Sequence, residues 1–144
     1  MADDDLMQLY SRRLLALAAD IPHLGRLSDP SGTATRRSPQ CGSTVTVDVA
    51  VRGGRVDGFA QEVRACALGQ ASAAILGGAI LGCTPDQLAQ GRDQLHAMLT
   101  AGGPVPVAPF DAAESLLPAR DFPNRHASIM LAWEAALAAC CGKV

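Results

Sequence analysis

Between Thr44 and Val51 the chain reads TVTVDVAV, with valine at every second position. Only an extended strand gives such a run one apolar face and one polar face, because successive strand side chains point to opposite sides. Gly53-Gly54 follows almost at once, and paired glycines supply the positive φ angles of a two-residue hairpin turn. The return strand is expected from Arg55 to about Val63. One face of such a hairpin is apolar, so the rest of the chain has to cover it.

The remaining segments read as that cover. Leu6, Leu9, Tyr10, Leu14 and Leu17 recur at helical spacing and predict an amphipathic helix over residues 4–19, with Asp3 to Asp5 at its positive end. Pro22 and Gly25 stop it, and a short polar strand is expected from Thr33 to Arg37. Ala67 to Leu81 is apolar almost all round and predicts a buried helix. Gly77 and Gly78 each cost it about 1 kcal/mol of propensity, which points to close packing there. Thr84, Pro85 and Gln87 form a helix start with a capping box, after which Leu88, Leu95 and Leu99 face the core. AGGPVPVAP, Ala101 to Pro109, is a loop, and Asp111 to Leu117 suits one or two helical turns. A last helix is expected over 127–141, with Met130, Trp133, Leu137 and Cys141 on one stripe and Gly142 as its stop. The expected fold is α+β: residues 1–144 as a single domain, a small antiparallel sheet of about three strands, and helices on one of its faces.

Composition removes several function classes. The formal charge of -2, from 12 basic and 14 acidic side chains, gives no basic footprint for nucleic acid. Phe59, Phe110, Phe122, Tyr10 and Trp133 are too few for a base-stacking platform. No apolar run approaches the roughly 20 residues that span a bilayer. The acidic start MADDDLMQLY is unlike a secretory signal, so a cytoplasmic protein is expected. Five cysteines are an odd and irregular set, better suited to structural, metal-binding or reactive roles than to a disulfide framework.

Two of those cysteines stand out. Cys41, in SPQCGSTVTVD, directly precedes the first strong strand, and Cys66, in RACALGQASAAIL, lies between the return strand and the buried helix. A helix N-terminus favours a thiolate through its dipole and free N–H groups. A hairpin turning at Gly53-Gly54 returns both strands to one edge, which delivers Cys41 and Cys66 to the same end. A third donor has to come from elsewhere, and FPNRHAS, Phe122 to Ser128, offers His126 and Ser128. The alternative for His126 is a plain surface histidine, and for Ser128 a helix N-cap. Cys83 reads as packing, Cys140 and Cys141 as core plus surface, and Arg36-Arg37 as a solvated pair that could also attract an anionic sulfur donor.

The ordered set of SPQCGSTVTVDVAV, FAQEVRACALGQASAAIL and FPNRHASIMLAWEAAL resembles the iron–sulfur cluster scaffold family: IscU, SufU and the N-terminal domain of NifU. The leading IPHLGRL turn is similar to the family's Pro/Gly loop, while FPNR and the AGGPVPVAPFDAAESLLPA insertion are most similar to SufU. The resemblance implies a compact α+β domain that gathers three cysteines and an aspartate at one tip. There it holds zinc or a nascent iron–sulfur cluster, accepts sulfur from a cysteine desulfurase and passes it to recipient apo-proteins. Cys41 and Cys66 match the first two ligands. Ser43 stands at the aspartate position, Ser128 at the third cysteine and Ala127 before it, with His126 one place earlier.

A serine hydroxyl replaces a thiolate poorly, being harder and far less acidic. Three readings follow. Cys41, Cys66 and His126 form a reduced metal site; or a homodimer holds a cluster with two thiolates from each subunit; or the chain is a persulfide acceptor or metal-free interaction paralogue. The reading from another class is a thiol-based transferase or oxidoreductase, with Cys66 as nucleophile and His126 as base.

Overall fold

The computed structural model describes residues 11–39 and 42–141. In chain order these form helix α1 (Arg12–Ala18), strands β1 (Gly32–Arg37), β2 (Thr44–Arg52) and β3 (Arg55–Arg64), then helices α2 (Ala67–Ala79) and α3 (Pro85–Thr100). A 3₁₀ segment (Asp111–Asp121), a short 3₁₀ turn (Pro123–Arg125) and helix α4 (His126–Cys140) complete the chain. The α+β expectation holds: one three-stranded antiparallel sheet in the order β1-β2-β3, with helices on one face.

Gly53 and Gly54 have φ of 61° and 77°, the left-handed pair that a tight hairpin demands. The register then runs back to Thr44 opposite Arg64, with one bulge between Ala50 and Val51. Val45, Val47 and Val49 are fully buried, and α4 lies across them and across β1. Gly32 is required for that approach, since a Cβ there would sit 2.0 Å from the Ala139 carbonyl oxygen. The other face is polar: Thr35 and Thr46 share a 2.9 Å hydroxyl contact across β1 and β2. Asp48 also belongs to this face, yet it is buried because the 20–31 loop folds over it. Arg26 pairs with its carboxylate through Nε at 2.7 Å and Nη2 at 3.0 Å, and the Leu27 N–H and Thr33 hydroxyl also donate to it.

Behind the sheet, α2 packs between α1 and α4. Trp133 of α4 donates its indole N–H to Ser72 of α2 at 2.9 Å, and Ser72 donates onward to the Ile129 carbonyl at 2.6 Å. Phe110 closes on Trp133 edge-on, 4.9 Å between ring centroids. The capping box of α3 forms as expected, with reciprocal bonds between Thr84 and Gln87.

Several expectations need correction. Close packing holds at Gly77, where a Cβ would meet the Gln61 amide nitrogen at 2.9 Å and Pro22 at 3.0 Å, but Gly78 faces open space. The helical turns after Phe110 extend past Pro118 as 3₁₀ structure, whose looser bonding tolerates an interior proline. Cys141 is exposed at the end of α4 rather than part of the buried stripe. The helix expected over 4–19 is instead capped at Ser11, whose hydroxyl accepts from the Leu14 N–H at 3.2 Å, and runs Arg12–Ala18; Leu6, Leu9, Tyr10 and Gly142 lie outside the described residues. Among the described residues no helix is long and apolar enough to cross a membrane.

Candidate functional site at the sheet end

The hairpin register brings the start of β2 and the end of β3 side by side, and only Ala65 and Cys66 separate β3 from α2. Cys66 fills the N-cap position of α2, as the sequence predicts, with φ -66° and ψ 171°. Its side chain caps no backbone N–H, so the sulfur is not spent on its own helix. It is half-buried and instead meets the Ser128 hydroxyl, Sγ to Oγ 3.4 Å.

Ser128 is the hub of this corner. It lies in the first turn of α4, 3 % exposed, and its hydroxyl also contacts the Ser43 hydroxyl at 3.2 Å. The helix N-cap reading of Ser128 is therefore overturned: Arg125 occupies that position, without a side-chain cap bond, and the Ser128 hydroxyl turns to Ser43 and Cys66. Gly69, one turn into α2, makes the contact possible. A Cβ there would lie 2.7 Å from Ser128 Oγ, so only glycine lets the two helices meet at this point.

The other predicted residues are placed as follows. Cys41 lies outside the described residues. The connection that contains it is closed by the Ser38 N–H, which donates to the Ser43 carbonyl at 2.8 Å. His126 opens α4, and its Nε2 is within 2.9 Å of the Ala119 carbonyl oxygen. Of the FPNRHAS segment, Ser128 is the residue in contact with Cys66. Cys83 is buried, with its thiol on the Ala79 carbonyl at 3.3 Å; Cys140 is half-buried against the core. Burial pushes both thiols up, Cys140 to about 11 with Cys141 adding to it, which suits packing rather than chemistry. Among the described residues, no three His, Cys, Asp or Glu side chains converge as a ligand set.

No family model matches the chain, and no curated protein sequence does. Solved structures do. A NifU-like protein (N-terminal) from Brucella abortus, described as nitrogen-fixing, is 38 % identical, with 96 % of each chain covered and a TM-score of 0.94. The chain belongs to the IscU/SufU/NifU-like scaffold family. FiSufU of the thermophile Fervidobacterium islandicum AW-1, named for the SUF system of iron–sulfur cluster assembly, shares the fold at 18 % identity. It has a TM-score of 0.83, covering 92 % of this chain and 96 % of that one. A hypothetical protein solved at 2.3 Å shares the fold too, at 23 % identity and a TM-score of 0.79, covering 92 % and 97 %.

Ser43 and Ser128 touch each other, and Ser128 also touches Cys66. The polar partner of the Cys66 sulfur at this corner is thus a hydroxyl, itself in contact with a second hydroxyl. A hydroxyl both donates and accepts hydrogen bonds but gives up its proton far less readily than a thiol.

Proposed function

We propose that this chain works in iron–sulfur cluster assembly as a scaffold-type sulfur acceptor, carrying sulfur or a nascent cluster at a tip that holds Cys41 and Cys66. Membership of the scaffold family supports the general role. The observation that carries the finer reading is the contact between the Cys66 sulfur and the Ser128 hydroxyl at the start of α2. A hydroxyl beside sulfur, with a helix N-terminus underneath, suits an anionic thiolate or persulfide.

The sulfur step balances without an added oxidant. The Cys66 thiolate attacks the terminal sulfur of a persulfide on the cysteine desulfurase. One S–S bond forms and one breaks, and the donor cysteine leaves as a thiolate. The Cys66 persulfide then passes its outer sulfur to a thiolate of a recipient apo-protein by the same exchange, and its release into a cluster as sulfide takes two electrons from a separate thiol or one-electron carrier reductant. Iron or zinc as cargo takes Cys41 and Cys66 as its thiolate donors. His126 joins them through a ring nitrogen only if Nε2 leaves the Ala119 carbonyl or Nδ1 turns inward. A homodimer offers a second pair of thiolates for the remaining positions.

The test is anaerobic incubation with a cysteine desulfurase and L-cysteine, followed by intact-mass analysis and elemental analysis of metal. Uptake of one sulfur, lost in Cys66→Ala, is the expected result. A chain that gains neither sulfur nor iron nor zinc overturns the reading. Turnover of a small thiol substrate, abolished by Cys66→Ala and His126→Ala alike, replaces it with the thiol-transferase reading.

A further inference from the structure

The open face of the sheet carries a feature that the sulfur chemistry does not use. Across the row next to the tip, Arg37 of β1, Thr44 of β2 and Arg64 of β3 are register partners. Directly opposed residues of antiparallel strands share a face, so both arginines stand on the side away from the helices. Both are exposed, and neither forms an ion pair among the described residues. On the β2–β3 side of this row, Thr44, Thr46, Glu62, Val63 and Arg64 itself line a depression of about 260 Å³, which Arg37 does not line. Glu62 is the acid of this depression, one row further from the tip, and it pairs with neither arginine.

The chain as a whole is acidic, with 14 acidic against 12 basic side chains. Asp57 sits at the turn end of the hairpin, paired with Arg52, and Asp86 and Asp93 lie on α3. On this face the two arginines occupy the row nearest Ser43 and Cys66, while its acids, Glu62 and Asp48, lie in rows further from the tip. Two strand spacings separate Arg37 from Arg64, about 10 Å, which matches carboxylates two to three residues apart on an extended peptide. Thr44 standing between two exposed arginines, with Thr35 and Thr46 in the next row, fits such a segment by paired arginine–carboxylate bonds.

We propose that this face is where the sulfur-donating protein docks, through an acidic extended segment held by Arg37 and Arg64. The inference rests on the sulfur-acceptor reading for the donor's identity, but its own readout is affinity. Titration of the metal-free protein with a cysteine desulfurase gives the dissociation constant without any sulfur transfer. Arg37→Glu/Arg64→Glu is expected to weaken binding tenfold or more, Arg37→Lys/Arg64→Lys by less. Raising salt from about 50 to about 500 mM weakens the wild-type complex, as does excess poly-L-glutamate. Undiminished affinity in the charge-reversed variant, no competition by poly-L-glutamate, or no binding by the wild type overturns the docking site. With a small alkyl persulfide that has no carboxylate as donor, which gives the arginines nothing to hold, the reversed variant is expected to take sulfur on Cys66 at the wild-type rate. Failure of Cys66 to take sulfur from either donor overturns the acceptor reading and leaves the affinity result to stand by itself. Circular dichroism and a urea midpoint for each variant establish that a loss of affinity is not a loss of fold.

Discussion

Cys66 and Ser128 are 62 positions apart in sequence, yet the thiol and the hydroxyl meet at 3.4 Å across the first turns of α2 and α4. That contact makes a cysteine at the N-cap position, which caps no backbone N–H, part of a polar corner, because the same hydroxyl reaches Ser43 at 3.2 Å.

Removing the hub changes the reactivity of the sulfur before it changes the fold. Ser128→Ala deletes a hydrogen-bond partner worth about 1 kcal/mol, which predicts roughly a fivefold slower alkylation of Cys66 by iodoacetamide at neutral pH. Peptide mapping of the alkylated native protein is expected to find Cys66 and Cys141 labelled and Cys83 and Cys140 protected, since the latter two are packed and their thiols are pushed up. An unchanged Cys66 rate in Ser128→Ala removes the hydroxyl from the chemistry.

Gly69 is the packing condition for that contact. Gly69→Ala places a methyl group 2.7 Å from Ser128 Oγ and from Ala65 Cβ, so α2 and α4 must separate. A loss of about 1–3 kcal/mol in urea unfolding is expected. Gly78→Ala, on the same helix in open space, is expected to stabilise by a few tenths to about 1 kcal/mol. Equal effects from the two substitutions contradict the packing argument.

Ser72 ties the same two helices together deeper in the core. Ser72→Ala leaves the buried Trp133 indole N–H without its acceptor, at a cost of about 1–3 kcal/mol. Trp133 is the sole tryptophan, so its fluorescence reports unfolding directly. A midpoint equal to wild type would show that the bond contributes nothing.

Acid is expected to loosen the 20–31 loop. The side-chain bond from Arg26 holds the Asp48 carboxyl down at about 2, against 3.8 ordinarily, with Thr33 and the Leu27 N–H adding to it while burial opposes. A carboxyl with a depressed value stabilises the fold fully above its unfolded value. That contribution fades as pH falls from about 4 towards about 2. Urea midpoints at pH 5 and pH 3 should differ more in the wild type than in Asp48→Asn, which has no charge to lose. Matching differences would disprove the role of the pair.

How much of this was legible followed how local the cause was. The valine alternation and Gly53-Gly54 announced the hairpin, and Thr84 with Gln87 announced the start of α3, because each involves neighbours in sequence. Cys66 at a helix start was legible for the same reason. Asp48 was missed, although an acid inside a valine run is a signal: its partner Arg26 is 22 positions away. His126 could be named from its segment, but nothing in the segment shows that Nε2 turns to Ala119.

The sequence by itself determined the elements and the strand register, since side-chain alternation, glycine φ freedom and capping act over a few residues. It also determined which side-chain types were on hand at the sheet end. Only the tertiary structure decided that Ser128 faces Ser43 and Cys66 instead of capping its helix, and that Gly69 makes room for it. Those outcomes depend on where α2 and α4 cross, and that crossing is set by shape complementarity summed over the whole core.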